Sequence, residues 1–354
     1  MINNSNNYGL NLQKRKEFHQ KNKFILRTLA KILTFFLLFF SINSLKGQDI
    51  HFSQYFNSPL NLNPALTGDF EGDWRIVGNY RNQWKALALP YRTSSVSYDR
   101  QFYLKQHHIS AGLLLVNDES GNNRLKTNKI FVSAAYHRTI NNNSLSAGLQ
   151  IGYVSEKVVE MTLPSSIFDE KGKLVPQPGE HLSYLDVNFG VNWQRKIGIF
   201  EPEVGVSLFH VNHPKESFFN DNSRLPLKNM IHVAVRTNIL QNFYVKPGFF
   251  TYIMKGSKDL VIGSDAGYTF QGNQYRLREA RAGIYWRNGL TGDSDAMIAL
   301  FGVQVRNLDV NISYDFNVSS LSTYTHNRGA FEISFIFKSI STILKTFTIP
   351  CERI

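Results

Sequence analysis

Leu145-Ser-Ala-Gly-Leu-Gln-Ile-Gly-Tyr153 is the stretch that decides the fold. Leu145, Ala147, Leu149, Ile151 and Tyr153 fall on one side of an extended chain, and Ser146, Gly148, Gln150 and Gly152 on the other. Successive strand side chains point to opposite faces, so this reads as a strand with one apolar and one polar surface. The pattern returns in Leu185, Val187, Phe189, Val191 and Trp193 against Asp186, Asn188, Gly190, Asn192 and Gln194. It returns again in Leu308, Val310, Ile312, Tyr314 and Phe316 against Asn311, Ser313, Asp315 and Asn317. A two-sheet sandwich would alternate in the same way, so strand length and connection must choose.

Working outward, fourteen such segments follow one another between residues 74 and 337. Many reach the roughly 9–11 residues that a tilted strand needs to cross hydrocarbon. Their connections are alternately short (103–106, 141–143, 241–242, 271–274, 306–307) and mostly long (82–92, 118–125, 157–183, 212–228, 287–295, 318–330). Only 256–259 breaks the alternation. An even strand count with short turns at one end and long loops at the other is the layout of a bacterial outer-membrane barrel. Closure also satisfies the backbone, which lipid cannot do. Arg236 shares a face with His232 and Ala234, opposite Ile231, Val233 and Val235. A lipid-facing Arg at mid-bilayer costs about 2–4 kcal/mol, so that face is the inner one. The expected fold class is all-β, a transmembrane antiparallel β-barrel of about 14 strands.

The flanks differ from the barrel. Of the formal charge of +12 on 354 residues, +7 lies in residues 1–47, leaving +5 on the rest. No downstream block interleaves Lys or Arg with aromatics, so a nucleic-acid partner is not expected. Ile32–Ile42 is an apolar run after a basic region, too short to span a bilayer and suited to a signal-peptide core. Residues 1–47 are therefore expected to be a signal peptide, cleaved near Gly47–Gln48. Residues 48–73, rich in Asn, Pro and Ser, are expected to form a periplasmic arm or a plug in the lumen. As an arm, their unpaired backbone could add to a partner's sheet edge. Residues 74–337 form the barrel and 338–354 a periplasmic tail; an even strand count puts both flanks on the periplasmic side.

The chain carries no phosphate loop, zinc-protease motif or nucleophile elbow. His210 and His213 are spaced as a metal pair but lack an evident third ligand, and adjacent His107 and His108 face opposite sides of a strand. Ser110 and Ser207 have histidines nearby but no indicated acid partner. No catalytic residue, metal or cofactor is expected. The single cysteine, Cys351, excludes an intramolecular disulfide. Trp74, Trp84, Trp193 and Trp286 sit near strand ends, where indole anchors at a membrane interface.

Several stretches, taken in order, resemble the PorP/SprF family of the Bacteroidetes type IX secretion and gliding machinery. They are Asp49–Gln54 with Leu62-Asn63-Pro64-Ala65, Asn79-Tyr80-Arg81-Asn82-Gln83-Trp84, and Ser97-Tyr98-Asp99. Phe209-His210-Val211-Asn212-His213-Pro214 follows, with Leu225-Pro226 and His232. Ile312-Ser313-Tyr314-Asp315, Glu332-Ile333 and Ile349-Pro350-Cys351 complete the set. The end of the chain departs from the family pattern in lacking a Pro and a final Phe after Cys351. The resemblance implies a non-enzymatic outer-membrane protein that supports type IX secretion or surface attachment of adhesins. Implied partners are outer-membrane lipids, a periplasmic peptidoglycan-linked lipoprotein and a secreted adhesin with a C-terminal sorting domain. The competing reading is a passive channel or hydrophobic-solute transporter, since fourteen strands enclose a lumen.

Overall fold

The computed structural model describes residues 52–83, 91–105, 107–120, 125–159, 180–218, 222–255, 257–272, 276–289, 294–318 and 328–342. Fourteen strands form one closed antiparallel barrel, each pairing with its sequence neighbours and the first with the last. They are β1 (Trp74–Gln83), β2 (Tyr91–Leu104), β3 (His107–Ser120), β4 (Leu125–Ile140), β5 (Asn143–Val158), β6 (His181–Arg195) and β7 (Phe200–Phe209). The second half comprises β8 (Lys228–Leu240), β9 (Phe243–Met254), β10 (Ser257–Thr269), β11 (Leu277–Asn288), β12 (Ser294–Val305), β13 (Leu308–Asn317) and β14 (Arg328–Lys338). The expected fold class and strand number are those observed. The loop expected over 157–183 is shorter, because β5 runs to Val158 and β6 starts at His181.

Apolar side chains face out and polar ones face in. Leu185 is 62% exposed and Ile284 65%, while Asp186, Asn188, Asn311 and Asp315 are buried. This inverts a water-soluble barrel and suits a wall set in hydrocarbon. One end of the barrel, the turn end, closes with the hairpins 141–142, 241–242 and 306–307. Asn141 and Asn142 there have φ of +46° and +65°, the left-handed pair that a two-residue hairpin needs. The other end, the loop end, carries the connections 159–180, 210–227 and 318–327.

Residues 52–73 fill the lumen rather than extending from it. Three short helical turns, Tyr55–Asn57, Pro59–Leu62 and Pro64–Leu66, follow one another. Pro59 and Pro64 each open a turn at its first position, where a missing N–H costs nothing. Asn63 caps the last turn by accepting from the Ala65 N–H at 2.9 Å. Leu60, Gln54, Asn63 and Ala65 have no measurable exposure. Tyr55 stacks on Phe250 at 4.9 Å, giving the upper lumen an apolar centre with Met230, Tyr252 and Tyr285.

The segment begins at the loop end and descends. Ser53 meets Asp315 on β13, Asn57 meets Asn79 on β1, and Leu60 meets Gln150 on β5. Thr67 then meets Ser133 and His137 on β4, and Asp69 meets Gln194, one residue from the turn end of β6. Strand counting placed both flanks at the turn end, and for residues 52–54 that expectation fails. The twenty-two described residues before β1 are long enough to run the length of the lumen to the turn end, where Trp74 opens β1. Their backbone is also committed to the barrel, not open to a partner's sheet edge.

Candidate functional site

At the loop end, Ser53 and Gln54 complete a buried ionic cluster. The Glu332 carboxylate accepts the backbone N–H of Ser53 at 2.8 Å and of Gln54 at 2.9 Å. Arg81 reaches Glu332 and Asp315 at 3.0 Å each and also donates to the Ser53 hydroxyl. That hydroxyl donates to Asp315 at 2.7 Å. Arg287 binds Asp315 at 2.9 Å, Ser53 at 2.9 Å and Asp295 at 2.6 Å. The Gln54 carboxamide donates to Ser313 at 3.0 Å and accepts from Ser334 at 2.9 Å and Asn57 at 2.8 Å. Buried charges persist only when paired and hydrogen-bonded, and both conditions are met here. Arg81 and Glu332 lie directly opposite each other across β1 and β14, so the cluster clasps the seam at which the barrel closes.

This geometry accounts for motifs that lie far apart in sequence. Tyr80-Arg81, Tyr98-Asp99 and Tyr314-Asp315 are each an aromatic followed by a charge on a strand. Tyr80, Tyr98 and Tyr314 are 38%, 41% and 36% exposed on the outer wall, and Arg81, Asp99 and Asp315 are buried inside. Strand alternation requires that division. Gln54, Arg81 and Asp315 meet in the clasp, whereas Asp99 forms a separate anchor lower down. It accepts from Arg75 at 2.7 and 3.0 Å and from the Gly68 N–H at 2.7 Å, while Arg75 reaches the Leu66 carbonyl at 3.0 Å.

Asn63 and Pro64 hold the middle. The Asn63 amide donates to the Val191 carbonyl at 3.0 Å and lies 3.3 Å from His232 Nε2. The wall there is glycine because the segment leaves no room. A Cβ on Gly190 would stand 1.9 Å from Asn63 Oδ1, and one on Gly148 2.3 Å from the Pro64 carbonyl oxygen.

The motif at 209–214 shapes the wall. His210, at φ +60°, sets Nδ1 3.0 Å from Asp186, and His213, at φ +45°, sets Nδ1 3.2 Å from the Leu225 carbonyl. β7 stops pairing with β6 at Leu208 opposite Phe189. Beyond that point the Asn212 side chain accepts from the Val187 N–H at 3.1 Å and donates to the Leu185 carbonyl at 2.7 Å, taking the place of a strand residue. Pro214 is buried and its carbonyl accepts from Leu225 N–H at 3.0 Å, while Pro226 is half-buried. The Ser207 hydroxyl donates to the Leu62 carbonyl at 2.8 Å. Among the described residues no group of three His, Cys, Asp or Glu is placed to hold a metal. Trp84, Cys351, the expected signal peptide and the tail beyond Thr342 lie outside the described residues.

Ser53, Arg75, Arg287 and Asp295 were not singled out from sequence. Trp286-Arg287 repeats the aromatic–charge alternation and could have pointed to Arg287; nothing local marks Ser53 over its neighbours.

At the turn end, the Asp69 carboxylate accepts from Gln194 at 2.7 Å and Asn192 at 3.3 Å. Burial, helped by the nearby Glu203 charge, pushes its pKa up to about 6. The Asp73 carboxylate is held below its ordinary range by hydrogen bonds from the Thr342 hydroxyl and N–H. Ser339 Oγ accepts from the Asp73 and Trp74 N–H groups at 2.9 Å, tying the start of the tail to the start of β1. A cavity of about 340 Å³ remains near this end, lined by Gln194, Arg195, Glu201, Glu203, Arg236 and Lys246. Three cavities beside the helical turns measure about 20–70 Å³.

These features define an outer-membrane β-barrel whose lumen is occupied by its own N-terminal segment. Residues 44–337 match the family described as type IX secretion system membrane protein PorP/SprF, and the chain belongs to that family. Membership implies a role in type IX secretion at the outer membrane. Among solved structures, the chain is similar to the Ralstonia pickettii toluene transporter TbuX (10% identity, TM-score 0.46, 80% of this chain and 94% of that one). It is also similar to the Pseudomonas putida toluene transporter TodX (10% identity, TM-score 0.45, 79% and 92%). No curated protein matches the chain.

Proposed function

We propose that this protein is a docking barrel. It holds periplasmic type IX machinery, including a peptidoglycan-linked lipoprotein, and the C-terminal sorting domain of a secreted adhesin at the outer membrane, and does no chemistry itself. The observation that carries this reading is the filled lumen. A conduit needs a continuous path, and here residues 52–69 occupy that path and are bonded to the wall along its length. A wall clasped at its seam by buried ion pairs is suited to bearing load between partners on its two sides. The periplasmic partner would meet the short turns and the tail, and the adhesin the long loops.

The test is affinity purification from native outer membranes in mild detergent, with mass spectrometry of what co-purifies. Stoichiometric enrichment of a periplasmic lipoprotein or a large surface adhesin is the expected result. A protein that purifies alone and conducts ions in a planar bilayer would replace docking with the channel reading.

A further inference from the structure

We propose that the turn-end cavity is a receptor for a carboxylate carried by a periplasmic peptide, with Arg236 and Lys246 as the cations that hold it. The proposal rests on the docking reading and gives its periplasmic side a site. At about 340 Å³ the cavity falls within the roughly 300–1,000 Å³ typical of ligand pockets. Its lining includes Asn142 and Lys196, from the turns after β4 and β6, so it lies at the mouth where short turns meet the periplasm. Arg195, Lys196, Arg236 and Lys246 line it against two carboxylates, Glu201 and Glu203. Lys196 and Glu201 neutralise each other at 3.1 Å.

The carboxylates closest to Arg236 and Lys246 are committed elsewhere in the wall. Lys246 stands directly opposite Asp265 across β9 and β10, yet makes no hydrogen bond or ion pair with any described residue. Asp265 takes a hydrogen bond from Tyr285 instead. The Arg236 guanidinium lies over the Tyr244 ring at 3.7 Å, which fixes its plane, and stands 4.0 Å from Glu279. Glu279 already binds Arg281 at 3.0 Å and the Tyr244 hydroxyl at 2.6 Å. Two cationic donors thus line one polar space with most of their capacity unspent, which suits a carboxylate. Glu203 sets the rest of the ligand. Its hydrogen bond among the described residues comes from Asn192 at 3.4 Å, and a carboxylate can accept about four, so it calls for N–H donors. A peptide brings both, a carboxylate for Arg236 and Lys246 and backbone N–H groups for Glu203. Inorganic phosphate brings no N–H and meets Glu203 as a like charge.

The experiment is isothermal titration calorimetry on the full-length protein in detergent, with heat-modifiable gel migration reporting folding. The probes are N-acetyl-Gly-Glu-Glu-Gly-amide, its Gln-Gln counterpart, that counterpart with a free C-terminal carboxylate, and inorganic phosphate. The Glu-Glu probe should bind at least about tenfold more tightly than the amidated Gln-Gln probe, and less tightly as salt rises. Lys246→Gln and Arg236→Gln should each lose about tenfold in affinity, Lys246→Arg should keep most of it, and Arg138→Gln, outside the cavity, should change nothing. Binding of the third probe assigns the carboxylate to a chain terminus, and its failure assigns it to an acidic side chain. Equal binding of the Glu-Glu and amidated Gln-Gln probes to the unaltered protein would overturn the proposal. So would phosphate binding as tightly as the Glu-Glu probe, or full affinity in both folded glutamine variants. In purification from native membranes, Lys246→Gln should lose the periplasmic partner and keep the adhesin. Probe binding by an unaltered protein that brings down no partner would overturn the docking reading and leave the site standing; partners without probe binding would overturn the site alone.

Discussion

Glu332 shows how much one side chain can hold at this site. Its carboxylate neutralises Arg81 and takes two backbone N–H groups of the lumen segment, at no measurable exposure. Glu332→Gln would leave the Arg81 charge under-compensated and present an amide donor to backbone donors. Breaking a buried pair in this way costs about 3–5 kcal/mol, against about 1 kcal/mol for each of the two neutral hydrogen bonds lost in Ser334→Ala. Urea unfolding in detergent would check this, and equal losses would mean that the clasp is not an ionic device. Asp69 supplies the pH dependence. Its folded pKa, about 6, is above its ordinary 3.8, so the folded state disfavours the charged form. That penalty is absent below the unfolded value and fully present above the folded one, so stability should fall as pH rises from about 4 to 6. Two units correspond to about 3 kcal/mol, which partial solvent access reduces to roughly 1–2 kcal/mol. Asp69→Asn keeps the acceptor oxygen, so it should stabilise the protein at pH 7.5 and flatten the dependence in thermal melts. At this scale the sequence revealed direction but not partners. Alternation set Asp315 apart from the apolar face of its strand, yet nothing local shows that Ser53 bridges it to Arg81.

Among the elements, strands were legible and the lumen segment was not. A strand in lipid shows its environment every second residue, which is why all fourteen could be found from period-two alternation. The segment 52–73 has no period, because three turns of three or four residues each face a different part of a polar wall. What it does impose is small residues on that wall, and Gly190 is the tightest case. Gly190→Ala would place a Cβ 1.9 Å from Asn63 Oδ1 and displace that side chain from the Val191 carbonyl. The expected cost is about 1–3 kcal/mol, as for other overpacking, with protease access at residues 52–66 as the readout. The connection between β5 and β6 should behave in the opposite way. The two strands pair continuously from Asn143–Arg195 to Lys157–His181 without it. Deleting residues within 160–179 should therefore leave heat-modifiable migration intact, and loss of that migration would show that the loop takes part in assembly.

For the whole molecule, the decisive property is that the chain fills its own barrel. Deleting residues 52–66 should open the lumen, leave Arg81, Arg287, Asp315 and Glu332 facing water, and raise planar-bilayer conductance well above that of the intact protein. If the intact protein conducts as much as the deletion, the segment does not seal the lumen and the docking reading loses its main support. The sequence by itself determined the barrel, its strand number, the inward face of strands such as β6, β8 and β13 and, through ordered motifs, the family. Those are local or nearest-neighbour properties, set by the two-residue period and by how far a strand must run to cross hydrocarbon. Only the tertiary structure decided that residues 52–73 run down the lumen from the loop end, and that motifs some 280 positions apart form one clasp. Closure of the barrel is the reason. It brings the first and last strands side by side around the N-terminal segment, and no local pattern in the chain encodes which inward charges then meet.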